Sequence, residues 1–171
     1  MKHRLKQEID LNTGIVLEEE YRMSGRLSRD PLEGPAYVFR HPDTGAGHRE
    51  LYSWRGQLHR EGGPAWIVRD KQGRIVHERH YQRGIEHRDP KEGPQEIERS
   101  YVSGREVVTA EIYRVYGRAY RDPREGPWVI VRDEKTGLTT DNGFSKESAP
   151  EVPERFKRWK TPGASLNTPK P

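Results

Sequence analysis

Tyr52-Ser53-Trp54-Arg55-Gly56-Gln57-Leu58-His59-Arg60-Glu61-Gly62-Gly63-Pro64-Ala65 is the stretch that decides the fold. Its first half alternates, with Tyr52, Trp54 and Leu58 set against Ser53, Arg55 and Gln57, the period of a strand with one buried face. Gly56 interrupts it where a hairpin must reverse, since glycine supplies the positive φ that tight turns need. A charged loop and a Gly-Pro pair follow, and then the apolar run Ala65-Trp66-Ile67-Val68. Proline at the start of a strand breaks no ladder.

The same order of features recurs along the chain. Gly-Pro stands at Gly34-Pro35, Gly63-Pro64, Gly93-Pro94 and Gly126-Pro127, spaced by 29, 30 and 33 residues. An arginine precedes each pair, at Arg29, Arg60, Arg88 and Arg121. Three copies read Arg29-Asp30-Pro31-Leu32-Glu33, Arg88-Asp89-Pro90-Lys91-Glu92 and Arg121-Asp122-Pro123-Arg124-Glu125, while the second is shortened to Arg60-Glu61-Gly62. Glycines mark two further turns per unit: Gly14, Gly45, Gly73, Gly104 and Gly137, and then Gly25, Gly56, Gly84 and Gly117. Tyr21, Tyr52, His80 and Tyr113 stand four residues before the second set. A recurrence of this kind marks a tandem array in which each unit packs on its neighbours.

The predicted fold is therefore all-β: an elongated antiparallel meander of about four hairpin repeats. Units are expected at about 9–40, 41–69, 70–99 and 100–132, with a partial unit at 133–144. Residues 1–8 read as a lead-in. Residues 145–171 read as a basic, proline-rich tail, disordered or briefly helical.

Composition narrows the function classes. Of 171 residues, 34% are charged and 30% hydrophobic, and mean hydropathy is −1.12. No cysteine is present, which removes disulfides, thiolate metal sites and a cysteine nucleophile and suits a cytoplasmic location. The first residues read as no signal peptide, and no apolar run has the length of a membrane-spanning helix. The pI of about 9.3 looks like a nucleic-acid footprint, but from Ser145 onward there are six Lys/Arg against three Asp/Glu, and in the body 25 against 24. No phosphate loop, nucleophile elbow or zinc signature is found, so no catalytic residue, metal or cofactor is expected.

At the stretch quoted first, and at His80-Tyr81-Gln82-Arg83-Gly84-Ile85-Glu86-His87-Arg88, the chain resembles the MORN-repeat superfamily. It looks closest to a bacterial and phage variant whose unit reads Tyr-x-x-x-Gly-x-x-His-Arg-x-x-Gly-Pro-Ala. The resemblance spans about residues 9 to 140 and implies an array of hairpins. It also implies a non-enzymatic protein-binding module, acting by direct binding as an inhibitor in the manner of an antitoxin or a phage anti-defence protein. The eukaryotic unit has His-Gly-x-Gly where this chain has His-Arg and then Gly-Pro, so its lipid contacts do not carry over.

Two sets of residues are candidates for binding. Arg29, Arg60, Arg88 and Arg121 should stack into a ladder that either grips phosphates or an acidic partner or braces the loops by pairing with the adjacent acids Asp30, Glu61, Asp89 and Asp122, or with Glu33, Glu92 and Glu125. The first use would make the chain a nucleic-acid or nucleotide binder, with help from the basic tail. Trp54 falls on the expected buried face with the tyrosines, whereas Tyr37, Phe39 and Trp66 fall on the other face of the short strands and suit a protein interface. Exposed strand edges allow homo-oligomers. The units disagree at Glu61-Gly62, at Glu96 and Glu98, and between Gly104 and Gly117, and specific function is expected at those irregularities.

Overall fold

The computed structural model describes residues 4–146 and 148–157. Its strands are β1 (Arg4–Ile9), β2 (Val16–Met23), β3 (Arg26–Leu27), β4 (Tyr37–Arg40), β5 (Gly47–Leu51), β6 (Ser53–Trp54), β7 (Gln57–Leu58), β8 (Trp66–Arg69) and β9 (Ile75–Arg79). There follow β10 (Tyr81–Gln82), β11 (Ile85–Glu86), β12 (Glu96–Val102), β13 (Arg105–Ile112), β14 (Arg114–Val115), β15 (Arg118–Ala119), β16 (Val129–Arg132) and β17 (Thr139–Gly143). A 3₁₀ turn at Pro90–Glu92 and one turn of helix, α1 (Glu154–Lys157), complete the elements.

One antiparallel sheet runs β1-β2-β4-β5-β8-β9-β12-β13-β16-β17, with β3 paired onto β2. The small strands β6–β7, β10–β11 and β14–β15 form separate hairpins. The meander expected from the repeat is thus the fold. Its first hairpin, however, uses the expected lead-in: β1 pairs residue by residue with β2, from Arg4–Arg22 to Ile9–Val16. The alternation of Leu5, Gln7 and Ile9 is too polar and too short to be read as a strand without its partner.

Turn chemistry explains the register. Asp10, Asp70 and Asp133 open loops in which the carboxylate accepts backbone N–H groups two to four residues on, the Asx-turn device. The small hairpins close instead through Ser24-Gly25, Arg55-Gly56, Arg83-Gly84 and Tyr116-Gly117, with φ near +50° at the first residue and +74° to +81° at the glycine. Both central residues at positive φ define the two-residue turn that matches strand twist. Gly56 is confined further, because a Cβ there would lie 2.9 Å from the Arg26 side chain. The fourth unit differs. Ser103-Gly104 forms the two-residue turn in place of an Asp-led loop, and β12 and β13 reach seven and eight residues. The insertion between Gly104 and Gly117 is absorbed as a longer hairpin.

The core is thin. Tyr52, Ala65 and Ile67 are buried together, with Leu58, Ile75 and Tyr81 against them. The residue after Gly-Pro is sealed in the first three units, at Ala36, Ala65 and Gln95, and half-buried in the fourth, at Trp128. Neighbouring units are also tied by backbone: the Gly56, Gly84 and Gly117 N–H groups donate to Leu27, Leu58 and Glu86 carbonyls of the preceding small hairpin.

Candidate functional site

The four repeated arginines do form a ladder, and it is spent on bracing. Arg29, Arg60 and Arg121 lay their guanidinium groups on Tyr21, Tyr52 and Tyr113, 4.0, 3.8 and 4.2 Å from the ring centroids. Each also donates to the proline carbonyl of its own loop, at Pro35, Pro64 and Pro127, and Arg88 does so to Pro94 at 3.1 Å. The brace partners are not the adjacent aspartates. Asp30, Asp89 and Asp122 instead accept the N–H two residues on, from Leu32, Lys91 and Arg124. Consecutive side chains leave the backbone in opposite directions, so the aspartate turns into its loop while the arginine reaches the ring.

A second arginine ladder runs through the sheet. Arg40, Arg69, Arg99 and Arg132 pair with Glu19, Glu50, Glu78 and Glu111 of the preceding strand, at 2.5 to 3.0 Å. These glutamates sit opposite Val38, Ile67, Ile97 and Ile130 in the register. Burial would raise the Glu19 pKa, but the bonds from Arg40 and Gln7 and the charges of Arg40 and Arg29 together outweigh it, and the net shift is downward. The signal was in the sequence: an arginine five residues after each Gly-Pro proline, and a glutamate two residues before each ladder aromatic. Sequence reasoning missed it.

The first irregularity opens a cleft of about 440 Å³ between the second and third units, lined by Arg60, Glu61, His80, His87, Arg88 and Glu92 among others. Two changes make it. The shortened loop at Glu61-Gly62 withdraws one wall, and His80 stands where the other units carry tyrosine. Burial, and then the Arg88 and Arg60 charges, push the His80 pKa down to about 4. Burial also lowers His87. Both imidazoles are thus neutral at physiological pH, so the cleft is lined by two guanidinium donors, two neutral rings and two carboxylate acceptors.

The second irregularity, the polar strand β12, forms a charged knot. Glu96, 3% exposed, accepts from His77 at 2.8 Å, from Arg79 at 2.7 Å and from Arg114 at 2.9 Å. Burial would raise its pKa, but the bonds from His77 and Arg79 and their charge hold it at about 2. Ligand atoms of His77, Glu96 and Glu98 lie within 4.8 Å of one another, the spacing of a metal site. Two guanidinium groups already neutralise Glu96 and repel a cation, so the cluster is an ion-pair node.

The remaining candidates are aromatic. Trp66 is half-buried, edge-on to His77 at 4.5 Å and under Arg79 at 5.0 Å. Phe39 meets His48 edge-on at 6.1 Å. Tyr37 is half-buried between Glu20 and Leu51 of the flanking strands. Trp54 is half-buried rather than sealed. With Met23, Arg26 and Arg55 it lines an open groove of about 590 Å³ along the row of small-hairpin turns.

Further along that row, the chain binds part of itself. Phe156 of α1 lies edge-on to Tyr116 at 4.7 Å and to His87 at 5.7 Å. The Arg83 guanidinium sits 5.1 Å from its ring and donates to its carbonyl. His87 and Tyr116 are themselves stacked, 4.3 Å apart and 7° from parallel. Of the tail's two expected aromatics Phe156 is thus docked, and Trp159 lies outside the described residues. No family model, curated protein or solved structure matches the chain. No helix among the described residues is long and apolar enough to cross a membrane.

Proposed function

We propose that the chain is a non-enzymatic, MORN-like repeat module that binds a partner protein and acts on it by occupancy, as an inhibitor does. One observation carries the reading. The segment that follows the repeats is held on their surface by an aromatic ring seated against Tyr116, His87 and Arg83, so the repeat surface is chemically suited to short aromatic segments. Aromatic and arginine groups in such boxes dominate protein interfaces. The nucleic-acid alternative has less support, because the arginines it needs are engaged on tyrosine rings and proline carbonyls.

The test is affinity capture with the folded chain from its native host, followed by mass spectrometry, nuclease treatment and a salt series. One dominant protein, retained after nuclease and only weakly sensitive to salt, is the expected outcome. Recovery of nucleic acid alone, with affinity falling steeply with salt, overturns the proposal.

A further inference from the structure

We infer that β1 is a dimerisation edge: two copies of the chain pair their β1 strands antiparallel, about a two-fold axis at Gln7, so that their two sheets become one. The inference concerns assembly and is independent of the partner-binding reading.

β1 is the terminal strand of the sheet, with β2 on one side only. Which of its backbone groups face outward follows from β2. The Tyr21 N–H donates to Ala36 and the Tyr21 carbonyl accepts from Ser28, so Tyr21 turns its backbone away from β1. Successive residues of a strand turn theirs to opposite sides, so Glu20 and Arg22 face their β1 partners Lys6 and Arg4. Leu5, Gln7 and Ile9 therefore hold their N–H and C=O groups out from the edge, a template for another strand.

That parity restricts how β1 can pair with itself. An antiparallel partner sets outward residue against outward residue, so the axis must pass through a residue and not between two. With the axis at Leu5, Lys6 opposes Arg4; at Lys6 or at Glu8, that residue opposes itself; at Ile9, Glu8 opposes Asp10. Each of these registers sets like charges against one another, which is destabilising. With the axis at Gln7, Lys6 opposes Glu8 of the second copy, and Arg4 opposes Asp10. Two cations followed by two anions along the edge are thus complementary to themselves in this register alone. On the opposite face it sets Leu5 against Ile9, which are 45% and 47% exposed in the single chain. About six backbone hydrogen bonds would close the ladder. Charges on an edge strand ordinarily keep other strands away, and here a second copy satisfies them. The other edge of the sheet, β17, carries the single charge Asp141 and has no such pattern. A contact between β1 and β17 would join unlike edges and repeat without closing.

The test is sedimentation velocity of the full chain from about 1 µM to about 1 mM, a range suited to a small interface. The mass should rise to that of two chains and stop. Lys6→Glu and Glu8→Lys each set like charges opposite and should weaken dimerisation by about tenfold or more. An equimolar mixture of those two variants restores an opposite charge at every position and should dimerise as the parent does. Gln7→Pro removes an outward N–H at an edge position that tolerates proline and should leave a monomer. Circular dichroism checks each variant against the parent. A parent chain that stays monomeric throughout, a mass that passes two chains, a dimer that survives Gln7→Pro, or a mixture that associates no better than its components would each overturn the inference.

Discussion

Replacing Glu96 by Gln tests the charged knot on β12 quantitatively. The carboxylate is nearly sealed and accepts from His77, Arg79 and Arg114. Removing its charge leaves Arg79, about a third exposed, without its counter-ion, and leaves Arg114 with Glu86 alone. Breaking a pair of this kind costs on the order of 3 kcal/mol at neutral pH. The pH dependence gives a second, independent number. Glu96 has a folded pKa of about 2 against an ordinary value of 4.5, so the unfolded chain takes up the proton first as pH falls. The associated stability is complete above about pH 4.5 and is lost as pH approaches about 2. Between neutral pH and about pH 3 the loss from this one group is about 2 kcal/mol.

Urea unfolding, followed by tryptophan fluorescence at neutral pH and at about pH 3, measures both quantities. Other carboxylates titrate over the same range, but they are common to the parent and the variant. The difference between the two pH dependences therefore isolates Glu96. The Gln variant should start about 3 kcal/mol lower and lose about 2 kcal/mol less on acidification. Parallel pH curves for parent and variant would show that the knot does not hold Glu96 ionised, and the reasoning would fail.

Three further outcomes are expected. In double-mutant cycles read by urea unfolding, Arg29 and Tyr21 should couple by about 0.5–1 kcal/mol and Arg29 and Asp30 by almost nothing; the reverse would restore the acid brace. Gly126→Ala should cost roughly 1–3 kcal/mol, because φ is +131° and the new Cβ would sit 3.0 Å from Arg121 Nη1, whereas Gly137→Ala, with nothing within 4 Å of its Cβ, should cost less in the same assay. His80 stays neutral down to about pH 4 in the fold while the unfolded chain protonates near 6.5, so it removes stability as pH falls between those values. His80→Tyr should flatten that part of the thermal-stability profile, restore the ring beneath Arg88 and narrow the cleft.

The legibility of this chain depends on whether a feature is local. Turn glycines, the Gly-Pro pairs and strand alternation act within a few residues, and they announce the meander directly. The brace of Arg29 is not local. Its ring lies eight residues upstream, a spacing repeated at Tyr52–Arg60, His80–Arg88 and Tyr113–Arg121. An adjacent aspartate is the tempting partner, but its carboxylate is occupied by the backbone of its own loop. The Arg40–Glu19 ladder is spaced still further, across 21 residues, and charged residues at regular intervals look like a solvated face until strand pairing brings them opposite one another. β1 escaped notice for a related reason, since its residues make sense only beside β2.

The same distinction bears on where function should sit. A side chain repeated in every unit is held by the same neighbours each time, and the arginine and glutamate ladders show those neighbours to be structural. Repetition in this fold therefore argues for bracing. The positions left for recognition are those where a unit breaks the pattern at the surface. His80 with the shortened loop opens a cleft. Trp54 and Arg55 leave an apolar, cationic groove where later units present Val115 and Tyr116. His80 stands within the first ladder and its cleft is lined by Arg60 and Arg88, whereas Trp54 and Arg55 lie outside both ladders, and substitutions there can change what binds while leaving the braces that hold the sheet. That expectation is the opposite of the one a conspicuous row of arginines first suggests, and the contrast between Arg55→Glu and loss of Arg29 separates them: the first should alter binding with stability kept, the second stability itself.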